Sequence, residues 1–547
     1  DGLRGSMKRR WRRRWRGIGR YVCKCYEKGA AYQDRCNKMA IYIFKLLVWT
    51  APNGIDNAQG YRAKMLNNLS EPAKYIFTEL PTGRDIDYYG KMGIDVKQMI
   101  SVHQFFTDSH SLELSVRVQD KVEELRERLG YTDIVSSGRD IKLLRDGAVI
   151  ASILRDETKT DFCSAIHYFS DGCYLICTEN YMGKMFYVDY YVTASSDAGM
   201  YAKHVRRSFF NSDGTIAYEQ LFSKNEIVWY LFPDGRVCTY QEFFAEFIKG
   251  LALTERDVVL LDRSVQPGLM QSLLQYGNSA RFIAVLHTRH FFEKGEDTDR
   301  LYLNDEYYDW FKYSHRIATM VVSTARQKKE LAEKLSEYEC RVPQIEVIPA
   351  GGIGRLRFPE KKRKPYSLVT VSRLYASKKV DWVIRSVVKA HDTNPAITLD
   401  IYGRGADAHT KYLRNLVSES SADSYIRFMG YADVTEIYTT YEAFITASLG
   451  ETLGLSVMEA VGSGTAVIGL NVKYGNQVFI YPENNGYLVD YHYTEEKEEQ
   501  LVAQMADKII KLFDSEEKLE RFHDYSYEIA KDYLCETVEE KWRKLLV

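Results

Sequence analysis

The sequence predicts an α/β protein of two doubly wound lobes, with an antiparallel β-meander inserted in the first. Three observations carry this expectation. Short apolar runs alternate with helical patterns in two separate stretches, as strands of a parallel sheet alternate with their crossover helices. Between residues 110 and 245 that rhythm gives way to alternating segments punctuated by Asp146-Gly147, Asp171-Gly172, Asp213-Gly214 and Asp234-Gly235. Asp-Gly between such segments is a strong hairpin signal, because both residues tolerate positive φ. Finally, 547 residues are too many for one ordinary core.

The chain opens on a basic leader. Residues 1–39 carry 13 Lys and Arg against 3 Asp and Glu, and the rest carries 61 against 72, so a net charge of −1 hides a basic segment on an acidic body. Arg12-Arg13-Arg14 between Trp11 and Trp15 is a pattern that can hold nucleic acid or anionic membrane, although a solvated tail is the plainer reading. Asp1–Ser6 reads as appended sequence and Met39 as the start of the folded part, so residues 1–38 are expected to be disordered. Nine scattered Cys without C-x-x-C spacing argue against zinc and for a reducing cytosol. No apolar run approaches the ~18 residues of a membrane span, and the leader lacks a secretory apolar core.

The first lobe is expected over residues 39–109 and 246–362, interrupted by the meander at 110–245. Met39–Thr50 reads as a strand ending in Ala51-Pro52-Asn53-Gly54, followed by a helix near Ala58–Leu69 and a strand at Lys74–Leu80. A charged helix is expected at Glu113–Leu129, and meander strands include Phe186–Thr193 and Ile227–Phe232. Val258–Asp262, Arg281–Leu286, Met320–Ser323 and Ile345–Ile348 are the later strands. Glu360-Lys-Lys-Arg-Lys364 before Pro365 reads as an interdomain linker. The second lobe, 363–525, has strands at Ser367–Ser372, Ile397–Tyr402, Ile426–Phe428, Ala443–Thr446 and Ala466–Gly469, and one final helix at Ser526–Leu546 packs back across the lobes.

In doubly wound sheets ligands bind beyond the C-terminal strand ends, so the candidate residues are sought there. After Ala443–Ser448 comes Gly450-Glu451-Thr452-Leu453-Gly454-Leu455 and a helix containing Glu459. Glu451 before the helix and Glu459 more than a turn inside it lie up to ~12 Å apart. They can bracket a sugar diphosphonucleoside whose diphosphate sits at the positive helix N-terminus, each carboxylate accepting from hydroxyls. Arg373 and Lys378, after Ser367–Ser372, can neutralise a diphosphate leaving group. Gly403-Arg404-Gly405 can bring backbone close to a base or phosphate. His287, at the end of Arg281–Leu286 with His290 nearby, can donate to a sugar hydroxyl. Asn53-Gly54 can present N–H groups to phosphates.

P-loop, complete dinucleotide-binding and G-x-S-x-G motifs are absent. Asp85-Ile-Asp87 and Asp297-Thr-Asp299 read as pairs in charged loops, weak candidates for a metal.

Ser372-Arg-Leu…Lys378, Tyr402-Gly-Arg-Gly405 and Glu451-x-x-Gly-Leu-x-x-x-Glu459-Ala, in this order, resemble the retaining GT-B glycosyltransferases of family 4. Within them the chain is most similar to the catalytic subunits of the accessory Sec system glycosyltransferases. That likeness rests on Asp56-Asn-Ala-Gln-Gly-Tyr-Arg-Ala63, His287-Thr-Arg-His-Phe291, Lys364-Pro-Tyr-Ser367, Leu399-Asp-Ile-Tyr-Gly403, Glu459-Ala-Val-Gly-Ser-Gly464, Tyr474-Gly-Asn-Gln477 and Asn485-Gly-Tyr-Leu488. It runs from Met39 to the C-terminus.

The resemblance implies a GT-B fold, two lobes with a cleft between them. It implies UDP-N-acetylglucosamine as donor, Ser/Thr hydroxyls of a serine-rich-repeat adhesin as acceptor, retention by front-face attack, and no metal or other cofactor. It further implies a non-catalytic sister subunit docked through the meander, possibly 2:2, a cytoplasmic location with at most peripheral membrane contact, and no nucleic acid. Carried over, Pro52, Asn53 and Gly54 touch the phosphates, His287 the sugar, Arg373 and Lys378 the diphosphate, Gly403–Gly405 the nucleotide, Glu451 the sugar and Glu459 the ribose. His287, Arg373, Lys378 and Glu451 are the expected catalytic set. Thr452-Leu453 stands where related sequences carry Gly-Phe, which places sugar choice there. A wall-teichoic-acid α-glycosyltransferase and a non-catalytic, acceptor-binding chaperone subunit are the alternative readings.

Overall fold

The computed structural model describes residues 39–45, 54–69, 73–108, 112–170, 174–196, 199–262, 269–277, 279–294, 297–491 and 497–546. The strands among the described residues fall into four sheets.

The first strands are β1 (Ile41–Lys45), β2 (Lys74–Phe77) and β3 (Met99–Ser101). The meander follows as β4 (Asp133–Ser137), β5 (Asp140–Arg145), β6 (Ala148–Arg155), β7 (Cys163–Phe169), β8 (Leu175–Met182), β9 (Lys184–Ser196), β10 (Gly199–Phe210), β11 (Ile216–Ser223), β12 (Glu226–Leu231) and β13 (Val237–Cys238). Then come β14 (Val258–Leu261), β15 (Arg281–Val285), β16 (Phe291–Lys294), β17 (Asp297–Leu303), β18 (Ile317–Val322) and β19 (Gln344–Val347). The last six are β20 (Lys364–Val371), β21 (Thr398–Tyr402), β22 (Ile426–Gly430), β23 (Tyr441–Thr446), β24 (Ala466–Leu470) and β25 (Gly486–Val489).

One seven-stranded sheet has the order β19-β18-β15-β14-β1-β2-β3, and one six-stranded sheet the order β22-β21-β20-β23-β24-β25. Strand order therefore reverses between β1 and β14 and again between β20 and β23, the doubly wound pattern. Every adjacent pair of the six-stranded sheet runs parallel. Central parallel strands are covered on both faces and read as unbroken apolar runs, as in β24, Ala466-Val-Ile-Gly-Leu470, which is buried throughout. Side chains alternate between the faces. Leu368, Ile445 and Ile468 join one core with the helices Val380–Thr393 and Glu498–Leu512, while Val369, Phe444 and Val467 join the other with Val457, Met458 and Ala530.

The described residues divide between two compact units, whose bounds along the chain are as follows. One comprises Asp1–Pro52, Leu66–Ala284 and Glu306–Ala318; the other comprises Asn53–Met65, Val285–Asp305 and Thr319–Val547. In the first, β4 to β13 form one antiparallel sheet in chain order. Asp146 and Gly147 both take positive φ, 50° and 78°, as a two-residue hairpin turn requires. At Asp213-Gly214 and Asp234-Gly235 only the glycine does. The meander packs through aromatic rings: Phe243, on the helix Tyr240–Gly250, lies 4.0 Å from Tyr230 and 4.2 Å from Phe106, centroid to centroid. Buried His103 shares a 2.6 Å hydrogen bond with Tyr218 Oη, and burial pushes the imidazole down to about 3.

Several expectations are corrected. The strand expected to reach Leu80 stops at Phe77. The charged helix begins at Val118, because Arg117 is bridged to Phe162, and it ends on Gly130 at φ 60°. The meander strands run Lys184–Ser196 and Glu226–Leu231. The single final helix is two, Glu516–Lys531 and Cys535–Leu546. It breaks because Tyr533–Cys535 pairs with Ile353, whose N–H donates to the Tyr533 carbonyl at 2.7 Å and whose carbonyl accepts from Cys535 at 2.9 Å. The charged run at 360–364 is not merely a linker. Lys364 opens β20, and Arg363, 7% exposed, donates to the carbonyls of Tyr441 at 2.8 Å and Ser463 at 2.7 Å. Asp85-Ile-Asp87 lies in the helix Gly83–Lys91, where Asp85 closes a capping box with Thr82 and Asp87 pairs with Lys91 at 2.8 Å. Asp297 and Asp299 lie in β17.

Candidate functional site

The candidate site forms within the second unit, at the reversal between β20 and β23. After β20 the backbone N–H groups of Ser372 and Leu374 donate to the carbonyls of Tyr402 at 3.1 Å and Arg404 at 3.0 Å. A Cβ at Gly403, φ 139°, would lie 1.8 Å from the Ser372 carbonyl oxygen, and one at Gly405 2.0 Å from that of Leu374. The missing side chains thus admit the neighbouring loop at both positions. Buried Leu374 anchors the loop, leaving Arg373 exposed over the ring of Tyr375 at 5.0 Å; exposed Arg404 lies over Tyr431 at 5.0 Å.

The chain then turns back so that Lys378 Nζ lies 2.5 Å from Glu451 Oε1 and 3.4 Å from Ser448 Oγ. Leu449 N–H donates to the Ser377 carbonyl at 3.1 Å, tying the two loops together. Glu451 forms a backbone bridge with Tyr474. Gly454, at φ 84°, leads into the helix Leu455–Val461. Thr452 and Leu455 are half-buried, whereas the Leu453 side chain is 3% exposed in the core around Val457 and Met458. Of the Thr452-Leu453 pair, only Thr452 therefore offers a partly accessible side chain.

Glu459 is half-buried, held between two tyrosines. Its Oε1 accepts from Tyr61 Oη at 3.0 Å and its Oε2 from Tyr438 Oη at 3.1 Å. Burial raises the carboxyl above the usual glutamate range, opposed by the two phenols and by the charge of Arg357. The same burial, with the carboxylate beside them, raises both phenols. Buried His287 and half-buried Tyr61 line one cavity together with Arg62, Ser323, Gly351 and Trp542. His290 is buried parallel to Tyr474, ring centroids 6.4 Å apart, and burial pushes it down to about 4.

The fold thus joins Lys378 to Glu451, and links Glu459 through Tyr61 to the cavity of His287. Gly54 opens the helix Gly54–Leu66, and space is open where its Cβ would be; Pro52 and Asn53 lie outside the described residues. Among the described residues no cluster of three or more His, Cys, Asp or Glu is arranged to hold a metal ion. Sequence reasoning missed Tyr61, Tyr438 and Arg289. Tyr61 and Arg289 lie inside the stretches 56–63 and 287–291 that carry the family resemblance; nothing local singles out Tyr438.

The chain matches the family model of glycosyl transferases group 1 over residues 365–515 and that of the GtfA extended beta-sheet domain over residues 134–234. It is 33% identical over 511 residues to the GtfA subunit of a UDP-N-acetylglucosamine–peptide N-acetylglucosaminyltransferase of Streptococcus gordonii, covering 93% of this chain and 98% of that one. The crystal structure of the pneumococcal O-GlcNAc transferase GtfA in complex with UDP and GlcNAc superposes with a TM-score of 0.81 at 33% identity, over 93% of this chain and 98% of that one. A crystal structure of a GtfA/B complex gives a TM-score of 0.83 at 31% identity, over 93% and 99%.

Proposed function

The chain belongs to the family of GtfA subunits of UDP-N-acetylglucosamine–peptide N-acetylglucosaminyltransferases, and from that premise we propose that it transfers N-acetylglucosamine from UDP-N-acetylglucosamine to Ser and Thr hydroxyls of a serine-rich-repeat adhesin before export. It is a glycosyltransferase of the GT-B fold. The observation that carries the site reading is the Lys378–Glu451 pair at the reversal between β20 and β23, with Glu459 beyond the next helix turn.

In this reading Arg373 and Lys378 bind the diphosphate and stabilise the charge that develops as UDP departs. Lys378 exchanges one oxyanion, Glu451, for another, and the freed Glu451 accepts from a sugar hydroxyl. Glu459 accepts from the ribose, Gly403–Gly405 lie near the base, and His287 donates to the sugar. The bond between the anomeric carbon and the β-phosphate oxygen breaks while the acceptor oxygen bonds to that carbon from the same face. The acceptor proton passes to the departing phosphate oxygen, and no metal takes part.

The GtfA/B complex supports a partner subunit for this chain. We assign its docking to the meander, which exposes Met200 (55%), Val192 (48%) and Trp229 (45%). The location proposed is cytoplasmic; among the described residues no helix is long and apolar enough to cross a membrane. We assign the first lobe to residues 39–109 and 246–362, the meander to 110–245, the second lobe to 363–525 and the segment packing back across the lobes to 526–547.

The test is UDP release with UDP-N-acetylglucosamine and a serine-rich peptide, with poly(ribitol phosphate) as the competing acceptor. Glu451→Gln combined with Arg373→Ala is expected to lower turnover by at least ~1,000-fold, given the ~100–1,000-fold typical of one lost transition-state donor. Unchanged turnover in the double variant sinks the assignment, and transfer to poly(ribitol phosphate) alone replaces the acceptor.

A further inference from the structure

Residues outside the proposed donor contacts close around the main chain on both sides of Glu451, all within the second unit. Arg289 Nη2 donates to the carbonyls of Leu449 at 2.7 Å and Lys473 at 3.2 Å. These carbonyls belong to the two segments that pair at Glu451. The Glu451 N–H donates to that same Lys473 carbonyl at 3.3 Å, and the Glu451 carbonyl accepts from the N–H groups of Tyr474 at 2.6 Å and Gly475 at 2.8 Å. The guanidinium lies so close over Gly450 that a Cβ there would stand 2.3 Å from Nη2. Glycine before Glu451 is thus accounted for by Arg289.

The Lys473–Tyr474 segment is gripped from another side. Tyr474 Oη donates to Glu330 Oε2 at 2.8 Å, and Lys473 Nζ lies 3.1 Å from Glu330 Oε1. Glu330 sits on the helix Ala325–Glu337, and Gln327 of that helix donates through Nε2 to the Thr288 carbonyl at 3.2 Å, next to Arg289. The contacts form a closed circuit, from Arg289 through Lys473, Tyr474, Glu330 and Gln327 back to Thr288. They reach Glu451 through its main chain, while its carboxylate stands 2.5 Å from Lys378 Nζ. An arginine donating to two carbonyls fixes their separation, as a rigid planar donor does.

We propose that Arg289 and Glu330 are positioning residues of the transfer reaction, holding the main chain of Glu451 so that its carboxylate meets the donor sugar. The inference rests on the donor-site reading given above. A displacement of about 1 Å at a reacting group costs on the order of 100-fold in rate, so the circuit matters without touching substrate.

The experiment is calorimetric titration of the full chain with UDP and with UDP-N-acetylglucosamine, alongside kcat. Arg289→Ala is expected to lower kcat at least tenfold, to leave the Kd for UDP within twofold, and to shift the ratio of the UDP and UDP-N-acetylglucosamine Kd values at least fivefold. Arg289→Lys restores part of that shift, and Glu330→Gln, which keeps an acceptor for Tyr474 but loses the Lys473 ion pair, moves it less. In a Glu451→Gln background Arg289→Ala changes the ratio by less than twofold, because the carboxylate it positions is gone. Loss of UDP affinity in step with kcat would make Arg289 a diphosphate ligand and overturn the inference. An equal effect of Arg289→Ala with and without Glu451 would overturn it as well. If Glu451→Gln itself alters neither the ratio nor the transfer, the donor-site reading is what has failed.

Discussion

Glu459→Gln is expected to weaken nucleotide binding while strengthening the fold at neutral pH. The carboxylate is the proposed ribose acceptor, and a hydrogen bond to a charged group contributes about 1.5–3 kcal/mol, so UDP should bind about 10–150-fold more weakly. For stability the sign is reversed. Burial of the ion costs several kcal/mol, and two phenol donors at 3.0 and 3.1 Å return about 1.5–3 kcal/mol each. Burial prevails, since the carboxyl is raised above its ordinary 4.5 despite both phenols and Arg357. A raised carboxyl binds its proton more tightly when folded than when unfolded. Stability is therefore highest at low pH and is lost as pH rises through the folded-state value. Glutamine escapes that loss, and Tyr61 or Tyr438 can turn its hydroxyl to accept from the amide. A gain of about 1 kcal/mol raises Tm by about 2–4 °C. Melting curves of both forms should diverge at pH 7–8 and converge as pH falls toward 4.5; calorimetry with UDP supplies the other half. A variant that melts lower at pH 8 refutes the electrostatic argument, and one that binds UDP within twofold of the parent refutes the ribose role.

Arg363→Met removes the donor from the carbonyls of Tyr438, Tyr441, Ser463 and Gly464, and should cost at least ~3 kcal/mol, seen as a Tm lower by about 6–12 °C. Gly405→Ala places a Cβ about 2.0 Å from the Leu374 carbonyl, so the Arg373 loop must move. It should cost about 1–3 kcal/mol of stability, and UDP titration should show weaker binding than in the parent. Transfer should persist in EDTA at the untreated rate; a loss restored by a divalent cation would refute the metal-free mechanism.

What could be read without coordinates was local. The Glu451–Glu459 spacing, the cations Arg373 and Lys378 beyond one strand, and the Asp-Gly hairpins at 146–147, 213–214 and 234–235 are all short-range signals that fall on the elements expected of them, whereas Asp171-Gly172 lies outside the described residues. The capping box at Thr82–Asp85 is equally local: a Thr three residues before an Asp signals a helix start, and it outweighs the D-x-D pattern that reads as a charged loop. Where the structure departed, the reason was distance along the chain. Tyr61 and Glu459 are 398 residues apart, and Arg289 and Leu449 are 160 apart. No periodicity within a window reports such pairs. The last helix broke because Ile353 pairs with Tyr533–Cys535, a partner that helical propensity does not register.

The sequence by itself determined the fold class and the chemistry on offer, because alternating apolar runs, turn residues and charges at strand ends act through near neighbours. Tertiary structure alone decided how those groups are held. It turned Gly403 and Gly405 into a packing surface for another loop, put Leu453 into the core, and enclosed Glu459 between two tyrosines. The physical reason is that close approach and burial depend on segments separated along the chain, by 21 residues for Tyr438 and Glu459 and by 398 for Tyr61 and Glu459, meeting in space, and only the folded chain brings them together.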